Sequence, residues 1–85
     1  MFQVQWSREA TEALADLWVR GDSEVRAALS VAATRIDKLL KRDGPEVGES
    51  RPGDMRIMFV PPLGVVFQVS SDGRTMRVAD LWQYR

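Results

Sequence analysis

Residues Gly48 to Gln83 read GESRPGDMRIMFVPPLGVVFQVSSDGRTMRVADLWQ, and this stretch decides the fold. Met55–Val60, Val65–Ser70 and Thr75–Gln83 are three strand-like runs. Pro61-Pro62-Leu63-Gly64 separates the first two, with proline presetting φ and glycine accepting a positive φ. Ser71-Asp72-Gly73-Arg74 separates the second and third and contains Asp-Gly, a strong hairpin signal. Val65-Val66-Phe67-Gln68-Val69 is almost continuously apolar, as befits a strand at the centre of a sheet. The three runs therefore predict an antiparallel meander.

Toward the N-terminus, Glu46 to Asp54 is polar, with Gly, Ser and Pro, and reads as a loop that is extended around Val47 to Arg51. Before it, Val25, Leu29, Ala32, Ala33, Ile36, Leu39 and Leu40 recur at three and four, an apolar helical stripe. Asp22 or Ser23 caps this helix, Lys38, Lys41 and Arg42 suit the negative end of its dipole, and Gly44-Pro45 stops it. Ala10, Ala13, Leu14, Leu17 and Trp18 mark an earlier helix, capped by Ser7 and ended by Gly21 as a left-handed residue. The short gap after Gly21 implies a helical hairpin or a sharp bend. Phe2 to Trp6 alternates apolar and polar, the period of a half-buried strand.

The order is β-α-α-β-β-β, an α+β chain forming a single domain over residues 1–85. Two N-terminal helices are expected to pack on one face of a small antiparallel sheet, the only partner for their stripes. The first strand joins at an edge, and the other sheet face is left to solvent or a partner.

Composition removes many chemistries. The chain has no histidine and no cysteine, so an imidazole base, a disulfide framework and thiolate metal sites are excluded, and neither a cofactor nor a metal is expected. No Gly-x-Ser-x-Gly elbow or phosphate loop is present. No run approaches the ~20 apolar residues of a membrane helix, and Met1 to Trp6 is not a secretory signal, so a cytoplasmic protein is the simple reading. Lysine plus arginine balance aspartate plus glutamate at twelve each, without the basic excess usual in nucleic-acid binders.

Arginines remain as candidates, because the guanidinium fork binds phosphate and is always charged. Arg51, Arg56, Arg74, Arg77 and Arg85 all fall in the sheet half. Simple alternation along the last strand puts Arg77, Leu81, Gln83 and Arg85 on one face and Met76, Val78, Asp80, Trp82 and Tyr84 on the other. The more apolar set is expected to face the helices, leaving Arg77 and Arg85, with Arg56, on the open face to hold RNA phosphates or an acidic peptide. The alternative is solvated strand charge that discourages edge pairing. Arg51 stands between a phosphate contact and a structural pairing with a nearby acid. Trp6, Trp18 and Trp82 are expected in the core unless they mark a partner surface.

Val4-Gln5-Trp6-Ser7 with Glu9-Ala10, then Gly48-Glu49-Ser50-Arg51 with Met55-Arg56-Ile57, then Leu63 to Val69 and Val78 to Trp82, resemble in order the RelE/ParE toxins of bacterial type II toxin–antitoxin pairs, the plasmid-stabilisation type. The resemblance implies a cognate antitoxin, which wraps such toxins with a helix and an extended segment. RelE-like members are ribosome-dependent mRNA endonucleases (mRNA interferases), whereas ParE-like members bind and inhibit DNA gyrase without cutting RNA. On the nuclease pattern, the first basic position falls on Arg56, the next on Met58, the arginine of the central strand on Gly64, and the arginine ending the last strand on Arg85. The implied catalytic set is Arg56, Arg85 and Tyr84, with Arg51, Arg74 and Arg77 as RNA- or partner-binding residues. A ribose 2′-hydroxyl would attack the adjacent phosphate, the two arginines would neutralise the phosphorane charge, and Tyr84 would relay a proton. One such electrostatic donor commonly supplies about 3–4 kcal/mol. A non-enzymatic ParE-like binder, a fold that has lost toxicity, and a self-associating domain remain the alternatives.

Overall fold

The computed structural model describes the whole chain, Met1 to Arg85. Strand β1 (Gln3–Trp6) leads into helices α1 (Arg8–Arg20) and α2 (Ser23–Asp43) and a 3-10 turn (Gly44–Glu46). Strands β2 (Glu49–Arg51), β3 (Met55–Val60), β4 (Leu63–Val69) and β5 (Thr75–Gln83) follow. The sheet order is β1-β5-β4-β3-β2. The meander β3-β4-β5 is antiparallel, and the extended part of the polar loop is β2 at the far edge. Strand β1 takes the other edge and pairs parallel with β5, so the sheet is mixed.

Local chemistry accounts for the element ends. The Ser7 hydroxyl accepts from the Ala10 amide, and an Asp22 carboxylate oxygen accepts from the Val25 amide, so both helices begin on a side-chain cap. Gly21 is not the expected left-handed residue: its φ is −85° and its backbone extended, because the chain must turn at once into the Asp22 cap. Gly44 does take a positive φ, 51°, and a Cβ there would meet the Phe2 ring 2.5 Å away. No helix is long and apolar enough to cross a membrane.

The core lies between the helices and one sheet face. Ala10, Leu29, Ala32, Ile36 and Leu40 from the helices meet Met58, Val60, Leu63, Val65, Phe67, Met76, Val78 and Leu81 from the strands. Burying a large apolar side chain such as Phe67 contributes roughly 1.5–3 kcal/mol. Trp6 packs against this core and donates its indole N–H to Asp37 at 3.4 Å.

One residue reorganises β5. The register runs Phe67 opposite Val78 but Val66 opposite Asp80, so Ala79 is an extra residue, a β-bulge. The bulge reverses the alternation beyond it. Leu81 is 3% exposed among the helices, while Trp82, expected to face them, lies on the opposite face at 36% exposure. The bulge is held from two sides. The Ser7 hydroxyl donates to the Ala79 carbonyl at 2.8 Å, and the Leu81 amide donates to the Asp80 carboxylate at 2.8 Å.

Candidate functional site: the open face of the sheet

Residues directly paired across strands share a face, so the registers order the uncovered face into rows. The first row runs Gln5, Arg77, Gln68, Met55, Arg51. The second runs Asp80, Val66, Ile57, Glu49. The third is Trp82, Gly64, Phe59. Two arginines sit in the first row and two acids in the second, so the face carries no net charge. Its third row is aromatic.

Phe59 and Trp82 meet edge to face with centroids 6.1 Å apart, and Phe59 meets Tyr84 in the same manner at 5.2 Å. All three rings are exposed, Phe59 at 55%. Gly64 makes this possible. A Cβ there would stand 2.5 Å from the Trp82 indole, which occupies the space above the glycine. Around the end of β5, Trp82 and Tyr84 also border a cleft of about 640 Å³ against α1, lined further by Leu17, Val25, Arg20 and Arg85.

The arginines predicted from sequence do not converge. Arg56 pairs with core Phe67 and therefore belongs to the helix side of the sheet. Its guanidinium donates to the Val47 and Gly48 carbonyls, both at 2.8 Å, and ties down the turn after α2. Arg85, expected beside Arg77, instead follows the reversed alternation beyond the bulge and lines the cleft against α1. Its guanidinium carbon lies 5.8 Å from the Tyr84 ring centroid. Arg74 lies in the β4–β5 hairpin, at the end of β5 opposite Tyr84, a separation of roughly 30 Å at 3.3 Å per residue. Arg77 is on the open face as expected. Arg51 shares that row but stands three strands away, roughly 14 Å. It pairs with Glu49 at 3.4 Å, the structural partner open from sequence.

The aromatic triad is what sequence reasoning missed. Its signal, a glycine at position 64 opposite a tryptophan at 82, becomes readable only when the bulge at Ala79 is known. Of the acids, Asp72 has its carboxyl lowered, first by the Ser70 hydroxyl at 2.6 Å and then by the Arg74 amide, which marks a tight hairpin. No group of acidic side chains stands together in a metal-binding arrangement.

No known family profile and no curated protein matches the sequence. Solved structures do match. The chain aligns over 100% of its length with 98% of a chain from the chromosomal ParDE toxin–antitoxin system of P. aeruginosa, at 16% identity and a TM-score of 0.76. It aligns over 96% of its length with 90% of a chain of the RelBE2 toxin–antitoxin complex of Mycobacterium tuberculosis, at 14% identity and a TM-score of 0.73. Against the isolated E. coli RelE toxin the coverage is 100% and 86%, with 16% identity and a TM-score of 0.63. At these identities the likeness is one of architecture: the protein has the RelE/ParE toxin fold.

Proposed function

We propose that this protein is the toxin component of a bacterial type II toxin–antitoxin pair, held in the cytoplasm by a cognate antitoxin, and that it acts by binding a protein target rather than by cutting RNA. The observation that carries this reading is Arg56. The candidate catalytic cation is tied by two of its donors to two backbone carbonyls on the helix side of the sheet, away from the open face. Phosphoryl transfer needs convergent positive charge at the reacting phosphate. The open face instead balances Arg51 and Arg77 against Glu49 and Asp80 and ends in exposed aromatic rings, the composition of a protein-docking surface.

The test is inducible expression in a bacterial host, with the ends of cellular mRNAs mapped and the supercoiling activity of purified DNA gyrase measured beside it. The reading expects growth arrest without codon-positioned mRNA cuts, and gyrase is the first target to assay. Codon-positioned cuts would sink it. The adjacency of Tyr84 and Arg85 is the one observation that favours the nuclease, since it joins a weak acid to a cation.

A further inference from the structure

We infer that a second copy of this chain docks on the outer face of α2, with the two helices antiparallel about a two-fold axis at Val31. The inference goes beyond the function proposed above and concerns a surface on the far side of the molecule from the open sheet face.

Leu29, Ala32, Ile36 and Leu40 are the α2 residues buried against the sheet. At about 3.6 residues per turn, Glu24, Ala27, Val31, Thr34, Arg35 and Lys38 fall on the opposite side of the helix. All six are exposed, Val31 at 64%. The surface beside Val31 is hollow, a depression of about 340 Å³ bordered also by Thr34, Arg35 and Lys38.

The charges of this face have no partner. Elsewhere on α2, Lys41 pairs with Asp37 at 2.7 Å, Arg42 pairs with Asp43 at 2.9 Å, and Arg26 donates to the Trp18 carbonyl at 2.8 Å. Glu24, Arg35 and Lys38 make no ion pair. The helix itself offers none. Within α2 no acid stands three or four residues from Arg35 or Lys38, and no base stands at those steps from Glu24. Arg35 and Lys38 are instead three apart and repel one another.

Their spacing is self-complementary. Glu24 lies seven residues before Val31 and Lys38 seven after it, roughly 10 Å along the axis on either side. Antiparallel pairing about Val31 sets each Glu24 against the Lys38 of the other copy, so two ion pairs form at once. Ala27 falls opposite Arg35, where a methyl group leaves room for the arginine stem. A parallel pair would set like charges together. The two Val31 side chains meet at the centre and leave water. Such an interface uses the same patch on both copies and closes as a dimer. A single helix pair stands at the low end of interface sizes, below about 1,200 Å², so the dimer dissociates readily on dilution. The paired helices lie between the two sheets, and the open face of each copy stays uncovered and points outward.

The test is sedimentation equilibrium of the full chain at low ionic strength, from about 10 μM to about 1 mM, with circular dichroism confirming that each variant is folded. The expected result is a monomer–dimer equilibrium. Glu24→Lys and Lys38→Glu should each weaken it at least tenfold, and the variant carrying both should recover the wild-type constant within threefold. Val31→Arg should abolish the dimer. Indifference of the dimer to the single reversals, failure of the double reversal to restore it, or assembly beyond a dimer each overturns the inference. A monomer throughout also overturns it and leaves the face to a different protein. Mapped mRNA ends and gyrase activity are read separately, so failure here leaves the proposed function untouched.

Discussion

The Trp82 indole occupies the space that a side chain at Gly64 would need, with a Cβ there only 2.5 Å from the ring. This close approach joins the central strand to the aromatic end of the open face. Gly64→Ala should push the indole aside and break its contact with Phe59. Overpacking usually costs about 1–3 kcal/mol, and the low end applies because a surface ring can swing into solvent. Urea denaturation should show a loss of about 1 kcal/mol, and the Trp82 indole resonance should move to a solvent-exposed position.

Ser7 connects the other side of β5 to the helices. Its hydroxyl accepts from the Ala10 amide at 3.0 Å and donates to the bulge carbonyl of Ala79 at 2.8 Å, and the residue is 3% exposed. Ser7→Ala removes a helix cap and leaves a shielded carbonyl without a donor. Together these should cost about 2–3 kcal/mol, read from urea unfolding.

These two positions show how far the sequence could be read. Helical stripes, the Ser7 cap, the Asp-Gly hairpin and the order of strands follow from periodicity and turn chemistry, and all are present. The facing of the last strand was not readable. Alternation holds through Val78, and one inserted residue at Ala79 then turns Leu81 inward and Trp82 outward. The bulge depends on a hydrogen bond to Ser7, seventy-two residues away, which no local pattern reports. The helix-side facing of Arg56 was hidden in the same way: its partners, Val47 and Gly48, come together only when β2 lies beside β3.

Arg56→Ala should act on stability rather than on function. Two carbonyls lose charged donors, a loss of about 1–3 kcal/mol in urea unfolding. Arg56→Lys should fall between, because a single ammonium lacks the guanidinium fork that spans both carbonyls. At matched levels of folded protein, growth arrest should be unchanged in both variants.

The Ser70–Asp72 contact makes a pH prediction. The Ser70 hydroxyl and the Arg74 amide stabilise the Asp72 carboxylate, so its folded pKa lies below the ordinary carboxylate value. A depressed folded pKa contributes stability that is present above the unfolded value and lost as pH falls through the folded one. Ser70→Ala should move the Asp72 titration midpoint upward, measured by carboxyl 13C NMR. The stability difference between wild type and Ser70→Ala should shrink as pH falls below the ordinary carboxylate range.

The most direct test of the central claim is mRNA cleavage in a reconstituted bacterial translation reaction, with purified wild type and Arg56→Ala side by side. The account predicts that mRNA remains intact with both proteins at high concentration. Codon-positioned cuts by the wild type that a folded Arg56→Ala variant fails to make would contradict it and place Arg56 in a nuclease site.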